Sequence, residues 1–128
     1  MTASPWNPET LAALAAALEV DVTPFAADGS PRARRTIWSI RVGDELYVHS
    51  WKRPTAVWYR DAIASNQGSI EVTGGGVSQL VTFDEVDAAA PIQEQISATF
   101  LSKYGRFDEA AAMNEQGPLE STLRLLPR

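Results

Sequence analysis

The sequence contains no cysteine and a single histidine, His49. Disulfides, thiolate nucleophiles and sulfur-ligated metals are therefore excluded. A zinc site would have to be built mostly from carboxylates, against the preferences of that ion. A Ser-His-Asp triad could draw only on His49, and no G-x-S-x-G elbow is present to expose a serine. Long hydrophobic runs are also missing: no segment approaches the ~20 apolar residues of a membrane span. The N-terminal stretch lacks the basic and apolar regions of a secretory signal. Together these absences lead us to expect a cytoplasmic protein with no membrane partner.

Positive charge is scarce as well, and it is concentrated. The chain has 11 basic and 16 acidic residues, a net charge of −5. Seven of the basic residues lie between Arg32 and Arg60: Arg32, Arg34, Arg35, Arg41, Lys52, Arg53 and Arg60. Only Asp44 and Glu45 oppose them there, so that stretch is strongly positive and the remainder strongly negative. An acidic chain repels polyphosphate backbones at long range, which argues against nucleic acid. A local basic stretch suits a small anionic ligand instead. The length of 128 residues and the 45% hydrophobic, 21% charged composition fit one globular domain spanning residues 1–128.

What is present reads as short strands interrupted by helices. Asn7 and Pro8 are the expected N-cap and first residue of a helix carrying Leu11, Leu14 and Leu18. Residues 19–25 alternate like a half-buried strand, and Asp28-Gly29-Ser30-Pro31 marks a turn. Residues 35–42 and 46–51 are expected to pair through a three-residue loop, Gly43-Asp44-Glu45. That register sets Trp38, Ile40 and Val42 beside Leu46, Val48 and Ser50 on one apolar face. Residues 54–65 form a second helix burying Trp58, Tyr59, Ala62 and Ile63, and strands flank Gly74-Gly75-Gly76. Residues 91–104 form a third helix with Ile92, Ile96 and Phe100 on one stripe, closed by Gly105. Asp84, Glu85 and Asp87 read as its N-terminal charge complement. A short helix over 107–115 and a closing strand over 122–126 complete the chain. The pattern predicts an α+β fold, a six-stranded antiparallel barrel with helices packed outside it.

The segment Ser50-Trp51-Lys52-Arg53-Pro54-Thr55 is the candidate site. A helix start offers free backbone N–H groups and a positive dipole end. Lys52 and Arg53 add charge, and Ser50 and Thr55 add hydroxyls. Two basic residues in a solvated loop would give the same pattern. Trp51, Trp58 and Tyr59 offer stacking surface, and equally suit a core or a subunit interface. His49 is a hydrogen-bonding group on a mixed strand face and a candidate proton donor.

These residues resemble a known group. The run RRTIWSIRVGDELYVHSWKRPTAVWYRDAIASNQGSIEV is similar to the flavin-binding split-barrel superfamily, which includes the pyridoxamine-phosphate oxidases and the deazaflavin-dependent nitroreductases. An Arg-rich strand, a Gly-acidic hairpin, an aromatic strand, a basic turn and a helix with Trp-Tyr near its start follow in that order. The whole chain is most similar to a small bacterial family within it that has no assigned function. The resemblance implies a six-stranded split barrel that dimerises, with FMN or a deazaflavin at the subunit interface and oxidoreductase chemistry on a small organic substrate. By position, Lys52, Arg53 and Thr55 would hold the cofactor phosphate. The backbone of Thr36, Ile37 and Trp38 would face the isoalloxazine ring. His49, Ser50 and Trp51 would line the ring or ribityl chain, and Trp58 and Tyr59 match the helix-start aromatics. The alternative is a non-catalytic dimer that keeps the barrel without the cofactor and uses its basic patch to dock an acidic partner.

Overall fold

Trp38 divides what the sequence presents as one strand into two, and that division organises the molecule. The structure is a computed structural model, and it describes residues 6–49, 57–87, 89–104 and 122–128. In chain order the elements are α1 (Pro8–Ala16), β1 (Val20–Pro24), β2 (Arg35–Ile37), β3 (Ser39–Val42), β4 (Glu45–His49), α2 (Val57–Ser65), β5 (Gly68–Val72), β6 (Ser78–Val86), α3 (Ile92–Tyr104) and β7 (Thr122–Pro127). The strands form one antiparallel sheet in the order β2-β1-β5-β6-β7-β4-β3. Because β2 and β3 occupy opposite edges and are joined through Trp38 alone, the sheet curls back on itself. The result is a nearly closed barrel with helices around it, an α+β split barrel. It has seven strands rather than six because the Arg35–Val42 segment changes edge at Trp38.

The hairpin register differs from expectation. Val42 lies opposite Glu45, Ile40 opposite Tyr47 and Ser39 opposite Val48, across the two-residue turn Gly43-Asp44. Gly43 has φ +61°, as the first central residue of a type II′ hairpin requires. The three-residue loop would gather the apolar residues on one face. That argument fails here because both faces of β4 are buried. Leu46 and Val48 point into the barrel with Val20, Val22, Ile70, Val81, Phe83, Leu123 and Leu125. Tyr47 points outward with Ile40, against Ile96, Phe100 and Tyr104 of α3.

The first helix closes one gap in the barrel. Asn7 caps it as expected, its side chain accepting from the Glu9 and Thr10 amides. Leu11 and Leu14 are buried in the barrel core, and Trp6 donates its indole N–H to the Leu125 carbonyl at 3.2 Å. Leu18 falls beyond the helix end at Ala16 and is 46% exposed, so the expected stripe stops one turn early. In α2 Ala62 is buried while Ile63 is 36% exposed. The helix ends at Asn66, which adopts φ +54° and accepts the Phe83 amide on its side chain at 2.8 Å. That bond occupies a β6 donor just past the end of the β5 ladder, which stops at the Gly68–Val81 pair. Asp84 and Glu85 lie within β6, not ahead of a helix, so their expected role is corrected. Gly105 and the proposed helix over 107–115 lie outside the described residues.

Candidate functional site

The predicted site falls into two parts. The basic turn, Ser50, Trp51, Lys52, Arg53 and Thr55, lies outside the described residues. His49 ends β4, its backbone paired with Thr122 of β7, and Trp58 and Tyr59 lie in the first turn of α2. The described chain leaves β4 at His49 and resumes at Val57 in α2, and the expected helix start at Pro54 lies outside the described residues. Of the Trp58, Tyr59 and His49 side chains nothing is described.

The other part, Thr36-Ile37-Trp38, is well defined. Thr36 and Ile37 belong to β2, an edge strand that among the described residues pairs only with β1. Its second row of backbone groups therefore faces away from the ladder, where a ligand with donors and acceptors along one edge can meet it. The Thr36 hydroxyl is committed: it donates to Asp21 at 2.6 Å. The same carboxylate oxygen accepts from the Thr73 hydroxyl at 3.0 Å. Asp21 is only 7% exposed, and these two hydroxyls supply the hydrogen bonds that such burial demands. Ile37 packs half-buried on the barrel core.

Trp38 is held by α3. Its ring stacks on Tyr104 at 4.3 Å between centroids and 3° between planes, and lies 5.7 Å from Phe100. One face of the indole is therefore taken by Tyr104. Next to it, Ser39 donates its amide to the Tyr104 hydroxyl at 3.3 Å, and its own hydroxyl donates to the Leu14 carbonyl at 3.2 Å. The Ser39 carbonyl accepts from the Lys103 amine at 2.9 Å, with the Tyr104 hydroxyl oxygen 3.2 Å away. Tyr104 also donates to the Leu18 carbonyl at 2.7 Å. Burial holds the Lys103 ammonium down to about 8, and burial pushes the Tyr104 phenol up to about 12. The Lys103-Tyr104 segment contributes to the family resemblance, but sequence reading gives neither residue a role at the site, because a Lys-Tyr pair at a helix end carries no functional motif.

Two clefts among the described residues are acidic. A cleft of about 240 Å³ is lined by Tyr47, Asp84, Glu85, Asp87 and Arg124 among others. The Arg124 guanidinium there is neutralised by Asp84 at 2.9 Å and Glu45 at 3.2 Å. Those carboxylates keep it above its ordinary range, the Asp84 hydrogen bond being the largest cause. Burial, then the hydrogen bond it donates to Glu45 at 2.7 Å, pushes the Tyr47 phenol up. A wider, open cleft along α2 is lined by Arg60, Asp61, Ile63, Ala64 and Glu85, again with more carboxylate than guanidinium. Neither suits a phosphate. Among the described residues, the basic surface is the exposed entry to β2, Arg32, Arg34 and Arg35, where Arg34 pairs with Glu71 at 3.2 Å. No group of three metal-ligating side chains occurs among the described residues. No described helix is long and apolar enough to cross a membrane.

This geometry defines a split-barrel protein. Solved structures similar to it include ChuZ of Campylobacter jejuni, with a TM-score of 0.68, 9% identity and 92% of this chain covered. They include HutZ, the heme storage protein of Vibrio cholerae, with a TM-score of 0.65 and 16% identity over 95% of this chain and 89% of that one. A FAD-binding protein of Mesorhizobium loti matches with a TM-score of 0.52 and 18% identity, covering 96% of this chain and 91% of that one. The chain spans 50% of the length of ChuZ. No curated protein matches in sequence. Residues 10–125 match the family described as uncharacterized protein conserved in bacteria (DUF2255), and the chain belongs to that family.

Proposed function

We propose that the protein binds a flavin-type cofactor, FMN or a deazaflavin, along the outer edge of β2, as a homodimer. The observation that carries this reading is the backbone edge of Thr36-Ile37, unpaired in the sheet among the described residues, beside exposed Arg32, Arg34 and Arg35, while the two described clefts are acidic. An isoalloxazine presents alternating donors and acceptors along its pyrimidine edge, which such a strand can match. Lys52 and Arg53, at the entrance to the α2 segment, would hold the phosphate with the amides of the helix start. When bound, such a cofactor supplies hydride or electron transfer to a small organic substrate. The chain's part is to orient the ring, neutralise the phosphate and keep water from the reacting face. A proton for the substrate would come from His49, Tyr59 or solvent. The similarity to a FAD-binding protein supports the reading.

The similarity to HutZ favours a second reading, a heme-binding role with His49 as the chain's one imidazole. Absorption spectra of the purified protein, alone and with FMN, a deazaflavin or heme, separate the two. A yellow protein whose flavin uptake weakens in Lys52→Ala/Arg53→Ala supports the first. A Soret band lost in His49→Ala supports the second. A colourless protein that takes up none of the three removes both and leaves the non-catalytic dimer.

A further inference from the structure

The bend at Trp38 carries a demand that the sheet cannot meet. Ser39 begins β3, the opposite edge of the sheet from β2, and β3 pairs only with β4. In a two-residue hairpin the pair flanking the turn exchanges hydrogen bonds and the pairs alternate from there. Val42–Glu45 and Ile40–Tyr47 are then bonded pairs, and Ser39–Val48 is not. The amide and carbonyl of Ser39 therefore point out of the sheet. Both are satisfied by the last two residues of α3, through the Tyr104 hydroxyl and the Lys103 amine. Trp38, one residue earlier, is fixed by its stack on the same tyrosine ring.

We infer that Tyr104, assisted by Lys103, is a positioning residue for the ligand-facing strand, fixing Ser39 and Trp38 and through them the course of Thr36 and Ile37. The inference rests on the flavin-type reading above and names the group that regulates the precision of that site. Three features support it beyond ordinary packing. The contacts are to main-chain atoms of the residue next to the predicted ring-facing segment. They come from an element 65 residues away along the chain. They also tie the end of α1 into the same point, since Tyr104 donates to Leu18 and Ser39 donates to Leu14. A strand held from one side by β1 and at its end by a rigid aromatic stack presents its free edge in one conformation, which is what affinity for a planar ligand requires.

The test is flavin titration, by fluorescence at a temperature far below unfolding, of the wild type, Tyr104→Phe, Lys103→Met and Trp6→Phe. Tyr104→Phe keeps the ring stack and removes the hydroxyl, and we expect its Kd for FMN or the deazaflavin to rise about tenfold. Lys103→Met keeps the apolar stem and should raise Kd about threefold. Trp6→Phe removes a buried hydrogen bond to Leu125, far from the bend in sequence, and should lower the melting temperature with no change in Kd. Amide exchange at residues 36–38 should accelerate in the first two variants and not in the third. If the wild type binds flavin and Tyr104→Phe binds with the same Kd, the positioning role is wrong and the flavin reading survives. If Tyr104→Phe does not fold, the Kd of Lys103→Met decides by the same criterion. If the wild type takes up no flavin, the reading and the positioning role fall together.

Discussion

Lys103 and Gly68 show how single residues are constrained by what surrounds them. The Lys103 amine is half-buried at the end of α3, and its folded pKa is lowered to about 8 from 10.5 by desolvation. Between these values the unfolded chain holds a proton that the folded protein has released, so stability rises with pH across that window. Tyr104 acts in the opposite sense. Its folded pKa is raised from 10.0 to about 12, so the folded protein keeps a proton that the unfolded chain loses, and stability falls as pH rises above 10. Burial of the Tyr47 phenol adds to that fall. Urea midpoints should therefore climb from pH 8 to 10 and drop from 10 to 12, and Lys103→Met should abolish the climb while keeping the drop. Gly68 is constrained by space. A Cβ there would meet the Thr23 carbonyl oxygen at 2.5 Å and the Phe83 ring at 2.9 Å. The carbonyl belongs to a paired strand and cannot move aside, so Gly68→Ala should cost about 1–3 kcal/mol in denaturant unfolding.

At the scale of elements, α3 behaves as a clamp on one flank of the sheet. Ile96, Phe100 and Tyr104 are fully buried against Ile40 and Tyr47, a cluster distinct from the barrel interior. Phe100→Ala should therefore lower stability by about 3–5 kcal/mol, measured by chemical denaturation. It should also free the Trp38 indole, seen as a red shift of tryptophan emission before global unfolding. The Arg124 network on the neighbouring strands contrasts with this. Its three side chains are each about two-fifths exposed, so water screens the pairs. Arg124→Met should change stability by less than about 1 kcal/mol.

For the whole molecule, the ladder runs without a break from β2 through β1, β5, β6, β7 and β4 to β3, and the chain itself bridges the two edges at Trp38. Closing a sheet in this way hides most of its edge hydrogen-bonding groups, and among the described residues the outer side of β2 is left unpaired in the sheet. Two whole-molecule outcomes follow from the proposed function. Light scattering should give the mass of a dimer, twice 13.9 kDa. FMN or the deazaflavin at 100 times its Kd should stabilise the fold by about 2.7 kcal/mol, read as a rise in melting temperature. An unmoved melting temperature with every flavin tested would count against cofactor binding.

Most of the described helices and strands are legible in the sequence, because their signals are local. Asn7-Pro8 caps α1, Ile92, Ile96 and Phe100 repeat along α3, and the glycine run separates β5 from β6. The sequence also determined that positive charge concentrates between Arg32 and Arg60, since that is arithmetic on residues. Which face of each strand lies inside depends instead on what packs against the sheet. Alternation assumes one wet face, and α3 lies on the face of β3 and β4 that would otherwise be wet, so the hairpin register came out differently. The break at Trp38 was likewise invisible, because it arises from barrel closure and not from any local preference of RTIWSIRV. Lys103 and Tyr104 could be connected to Ser39 only by the fold, since a hydrogen bond between residues 65 apart leaves no trace in spacing or composition.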